Sequence, residues 1–80
     1  MSERLKFEGR LAEKKREQQK AALRIRALVN GVRDLLDPFA PIEDLRADQA
    51  AELTLELANL HIDYTRLAAE IAALKKALGR

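Results

Sequence analysis

An all-α fold, drawn out as a long antiparallel two-helix hairpin, is the architecture that three observations on this 80-residue chain predict. Ala and Leu fill 28 positions and Asp, Glu, Lys and Arg fill another 28, a composition typical of long helices and coiled coils. Both prolines fall in one short stretch, Asp37-Pro38-Phe39-Ala40-Pro41. On either side of it, apolar residues recur at alternating steps of four and three, the spacing of a coiled-coil seam. Aromatic residues make up only 4% of the chain, too few for the pleated surface of a sheet. The whole chain, residues 1–80, reads as a single helical-hairpin domain.

The first helix is predicted over about residues 2–36. Its seam runs Phe7, Leu11, Lys14, Gln18, Ala21, Ile25, Leu28, Val32 and Leu35. Asn30-Gly31 is its weak point, since a glycine inside a helix costs about 1 kcal/mol relative to alanine. A break there is the alternative to one straight helix.

A turn follows at about 37–41. Pro38 disfavours helical geometry at Asp37, and Pro41 suits the first turn of a new helix, where its missing N–H costs nothing. The second helix is predicted over about 42–78, with Gly79 as its stop. Its seam is Ala50, Leu53, Leu57, Leu60, Tyr64, Leu67, Ile71, Leu74 and Leu78. With a turn centred on residue 39, paired seam positions have numbers adding to 78, which sets Leu11 against Leu67 and Lys14 against Tyr64.

The second helix carries another apolar stripe, Ala51, Leu55, Ala58, Ile62, Thr65, Ala69 and Ala72, about 140–160° around from the seam. One partner helix cannot cover both faces, and a helix with two apolar faces is normally interior to a bundle. Two hairpins joined through this stripe would form a four-helix bundle, and a two-fold dimer is the commonest closed assembly. Ala51, Leu55, Ala58, Ile62, Ala69 and Ala72 are therefore the expected dimer interface. Between the stripes, Glu52, Glu56, Asn59, Asp63, Arg66 and Glu70 read as a solvated, mostly acidic face.

Catalytic chemistry has few residues to work with. There is no cysteine and one histidine, so neither a thiolate metal site nor a Ser-His-Asp or Cys-His constellation can be assembled in one chain. Ser2 is the only serine and falls where a helix end would fray. Arg24, Arg26 and Arg33 lie on different faces of the first helix and do not converge as an anion-binding enzyme would need. The reading is a non-enzymatic protein with no cofactor. Its longest apolar run, Ile71-Ala72-Ala73-Leu74, predicts no membrane span, and the absence of cysteine suits a reducing cytoplasm.

Charge is distributed unevenly. Residues 1–40 hold ten Lys/Arg and six Asp/Glu, whereas residues 41–80 hold five and seven. Lys14, Lys15, Arg16, Lys20, Arg24 and Arg26 are candidate contacts for an acidic partner or, as the alternative function, for the phosphates of a nucleic acid. Interleaved Glu13 and Glu17 favour a solvated or protein-binding face.

Two strings, Asp34-Leu-Leu-Asp-Pro-Phe-Ala-Pro-Ile-Glu-Asp-Leu45 and Leu67-Ala-Ala-Glu-Ile-Ala-Ala-Leu-Lys-Lys-Ala-Leu-Gly-Arg80, resemble small accessory proteins of Mu-like transposable phages and prophages. The resemblance covers the turn and the second helix. It implies a setting in which compact proteins bind and divert a host factor or assist phage DNA transactions, and it assigns no residue a role. The expected function is thus binding of another protein by a dimeric hairpin, with nucleic-acid binding through the basic first helix as the alternative.

Overall fold

The computed structural model describes residues 2–80. Two long helices, α1 (Glu3–Leu35) and α2 (Ala47–Ala77), pack antiparallel along their length, and no strand occurs among the described residues. The result is a rod of 62 × 16 × 16 Å.

Helix α1 begins at Ser2, whose hydroxyl accepts the Arg4 N–H at 3.2 Å, an N-cap rather than a frayed end. It runs unbroken through Asn30-Gly31, so the alternative of a break there is not realised. Gly31 sits close to α2: a Cβ added to it would lie 3.2 Å from Leu53 Cδ1. Its place in the helix is explained by that approach.

The connection is longer than the expected five-residue turn and occupies residues 36–46. The Asp37 carboxylate accepts the Phe39 N–H at 2.9 Å and the Asp37 carbonyl accepts the Ala40 N–H at 3.2 Å, which folds the chain back. Pro41 does not open α2. It has extended ψ of 146° and precedes a separate 3-10 turn, Ile42–Asp44. Leu45 is again extended, and α2 starts only at Ala47, with Asp48 near the positive end of its dipole.

At its far end α2 stops as glycine directs. Gly79 takes φ +77°, its N–H reaches Lys76 O at 3.1 Å, and the Arg80 N–H reaches Lys75 O at 2.8 Å. These two bonds form a Schellman motif and satisfy carbonyls the helix leaves open.

Every seam residue named above, in both helices, is buried or half-buried. Leu11, Leu28, Ala50, Leu67, Ile71 and Leu78 are the most enclosed, at 3–7% exposure. Their pairing differs from the expected one. Arg4 meets Leu78, Lys14 meets Glu70, Arg24 meets Glu56 and Gly31 faces Leu53, so partner numbers add to 80–84 and not to 78. Leu11 packs with Ile71, one helical turn beyond Leu67. The longer connection causes the shift, because its centre is residue 41. Charge agrees with a shift in this direction: the expected register would set Glu8 against Glu70, whereas Glu70 meets Lys14 at 2.8 Å and Glu8 meets Arg80, beyond the end of α2, at 2.6 Å.

Candidate functional site

Three cross-helix ion pairs clip the hairpin at different levels. Glu8 holds Arg80, Lys14 holds Glu70, and the Arg24 guanidinium grips both Glu56 oxygens at 2.9 and 3.0 Å. Glu70 also receives Arg66 of its own helix at 2.7 Å. Its Oε2 is closed off from solvent and accepts no hydrogen bond of good geometry, so the neighbouring Lys14 charge is what offsets its burial. Lys14 first, then Arg66, holds the Glu70 carboxyl below its ordinary value, and Glu70 in turn raises Lys14. The acidic side of α2 is thus only partly a solvated face, since Glu56 and Glu70 reach across to α1.

This changes the setting of the basic cluster. Lys14 and Arg24 are held by carboxylates of α2. Lys15, Arg16, Lys20 and Arg26 are exposed. At about 100° per residue, Lys15 and Arg26 project to one side of α1, and Arg16 and Lys20 to its outer face. The six do not form one stripe.

The residues expected at a dimer interface do form a continuous surface. Ala51, Leu55, Ala58, Ile62, Ala69 and Ala72 are all exposed and lie on the side of α2 turned away from α1. Leu55 and Ile62 keep 65% and 67% of their surface in solvent. The charged residues of α2 from Asp48 to Glu70 fall within a sector of about 80°, which leaves the face opposite the seam without a charge. Two threonines bordering that face return their hydroxyls to their own helix: Thr54 to Ala50 O at 2.7 Å and Thr65 to His61 O at 2.9 Å. What they offer a partner is a methyl group.

His61 is exposed beside a groove lined by Ala22, Ile25, Arg26, Val29, Asn30, Arg33 and Tyr64. Among the described residues no cluster of three or more His, Cys, Asp or Glu side chains is placed to hold a metal ion. None of their helices is long and apolar enough to cross a membrane.

One feature of the connection was not legible from periodicity. Phe39 and Ile42 are 94% and 84% exposed at the tip of the rod. The signal for them was available in the two flanking prolines, which hold a short segment out of either helix and away from either seam. Comparison with protein-family models, with curated proteins and with solved structures finds no match to this chain.

Proposed function

We propose that this chain is a non-enzymatic binding protein that works as a homodimer of helical hairpins and acts through contact with another protein. The observation that carries the reading is the face of α2 that bears no charge between Asp48 and Glu70, with Leu55 and Ile62 about two-thirds exposed at its centre. A solvated helix has no use for such a face, and contiguous apolar surface of this kind marks an association site. Joined through Ala51, Leu55, Ala58, Ile62, Ala69 and Ala72, two hairpins make a four-helix bundle.

The tip supplies the second contact. Phe39 and Ile42 stand on a loop braced by Pro38, Pro41 and the Asp37 turn, so inserting them into a partner's pocket costs little ordering entropy. The chain around them, residues 33–48, holds five acidic side chains, Asp34, Asp37, Glu43, Asp44 and Asp48, against Arg33 and Arg46, which suits an apolar pocket with a basic rim. In the phage setting that the resemblance implies, the partner would be a host protein, modulated by occlusion.

Light scattering after size exclusion tests the reading. The expected mass is twice 9.0 kDa, about 18 kDa, for the native chain. Leu55→Glu with Ile62→Glu should give a monomer, because a buried unpaired carboxylate is not tolerated at an apolar interface. Phe39→Ala should leave the mass at the dimer value. A monomeric native chain, or a dimer indifferent to the two glutamates, overturns it.

A further inference from the structure

One side of the hairpin carries chemistry that neither the dimer face nor the tip uses. We propose that the groove between α1 and α2 at Arg26 and Arg33 receives an amphipathic helix of a partner protein, with an aliphatic stripe and with acidic residues seven apart along one edge. The groove is formed within a single hairpin, so the inference goes beyond the dimer reading and does not rest on it.

The two sides of the rod differ in what becomes of their charges. On one side the pairs Lys14–Glu70 and Arg24–Glu56 close the seam. On the other, Ala22, Ile25 and Val29 of α1 and His61 and Tyr64 of α2 line a groove that has Arg26 and Arg33 at its edge and no carboxylate in its walls. Arg24, Arg26 and Arg33, expected on three different faces, divide two against one. Arg26 and Arg33 lie together, about two helical turns apart on one side of α1, and Arg24 alone lies opposite. Lys15 stands on the same line as Arg26 and Arg33. Among the described residues none of these three cations forms an ion pair. The reason lies in the spacing of the acids. At about 100° per residue, Glu17 on α1 and Glu52, Glu56, Asp63 and Glu70 on α2 all project away from this side.

Unpaired cations beside an aliphatic floor define the occupant. Lys15, Arg26 and Arg33 follow one another at intervals of about 16 and 10 Å along the axis. A helix laid in the groove repeats its edge every seven residues, again about 10 Å, whichever way it runs. Two carboxylates so spaced meet Arg26 and Arg33 together, and Ile25 and Val29 meet the aliphatic stripe. The neighbouring edge of α2, Thr54, Ala58, Thr65 and Ala68, is uncharged and built of small side chains, which lets a third helix approach closely. Nucleic acid fits this side less well. A duplex carries a charge about every 1.7 Å, and three cations spread over about 27 Å neutralise few of them. The one aromatic ring, Tyr64, is half-buried in the floor and offers no platform for stacking bases.

The test is a display library of helical peptides of about 20 residues, long enough to run from Lys15 to Arg33, selected on the native chain. The apolar stripe is fixed as leucine and alanine, and the edge positions are free to be Glu, Lys or Gln. Enriched peptides should carry Glu at edge positions seven apart, and should bind the Arg26→Glu, Arg33→Glu variant about tenfold more weakly. Arg26→Gln with Arg33→Gln should show a smaller loss. Both arginines are exposed and outside the seam, so the variants keep the fold. Light scattering should give the glutamate variant the same mass as the native chain. Failure to enrich, enrichment of Lys or Gln at those positions, or equal affinity for the native and charge-reversed chains overturns the proposal. A mass that falls with the two glutamates means that a second copy fills the groove, which overturns it as well. A short DNA duplex that binds the native chain and not the glutamate variant assigns the groove to phosphate instead. Monomer mass for the native chain with the Glu-bearing peptides still bound removes the dimer reading and supports this one.

Discussion

Three glycines in this chain occupy three different physical situations, and each predicts a different response to alanine. Gly9 lies in mid-helix with nothing within 4 Å of an added Cβ, so Gly9→Ala should recover helix propensity and raise stability by about 0.5–1 kcal/mol. Gly31 has the same backbone, but its new methyl would lie 3.2 Å from Leu53 Cδ1. The leucine end must yield by a few tenths of an ångström, so the gain from Gly31→Ala should be smaller. Gly79 has φ +77°, where an L side chain is strained, and Gly79→Ala should lower stability by about 1 kcal/mol. Urea unfolding of the three variants checks the order. Equal gains at Gly9 and Gly31 would show that Leu53 does not constrain the approach of the helices.

Between elements, the two seams were readable residue by residue, yet the register between them was not. A four-three repeat slid by one turn sets seam residues against seam residues again, so the pattern that locates each face leaves the slide undetermined. Connection length decides it, and that depends on Asp37, Pro41 and the 3-10 turn at Ile42–Asp44, none of which is periodic. The ion pairs then confirm one slide over another. Glu70 is the central case, lying between Lys14 and Arg66. Its carboxyl is held below the ordinary value, by Lys14 foremost. The stability it contributes is therefore present above the unfolded value of about 4.3 and is lost as pH falls through the lower folded value. Lys14 is raised by Glu70, so its contribution persists until pH climbs past about 10.4. Glu70→Gln should thus be less stable than the native chain at pH 7, and the gap should close as pH falls below 4. Urea midpoints of both proteins at pH 7, 5, 4 and 3 measure this. A gap that stays constant with pH would mean that Glu70 acts through packing and not through charge.

At the scale of the molecule, what matters is how little of the chain is enclosed. The radius of gyration is 18.0 Å, where a compact 80-residue chain would have about 12 Å. The best-buried side chains retain 3% of their surface, and a single layer of contacts joins the two helices. Small scaffolds with no disulfide or metal usually draw the missing stability from association. The exposed face of α2 was legible in the sequence because a second stripe had no helix to cover it, whereas the exposure of Phe39 and Ile42 depended on a loop shape that no periodicity encodes. If association supplies stability, the folded state is coupled to concentration by mass action. Well above the dissociation constant, each tenfold rise in protein should stabilise the dimer by about 1.4 kcal/mol. For a dimer of this size that corresponds to a thermal midpoint rising by about 3–6 °C per tenfold. The Leu55→Glu, Ile62→Glu variant should melt lower and show no such dependence. Circular-dichroism melts from 1 to 100 μM make the comparison. A native midpoint that does not move over that range would mean that the hairpin stands without its twin, and would reassign the bare face of α2 to a foreign protein.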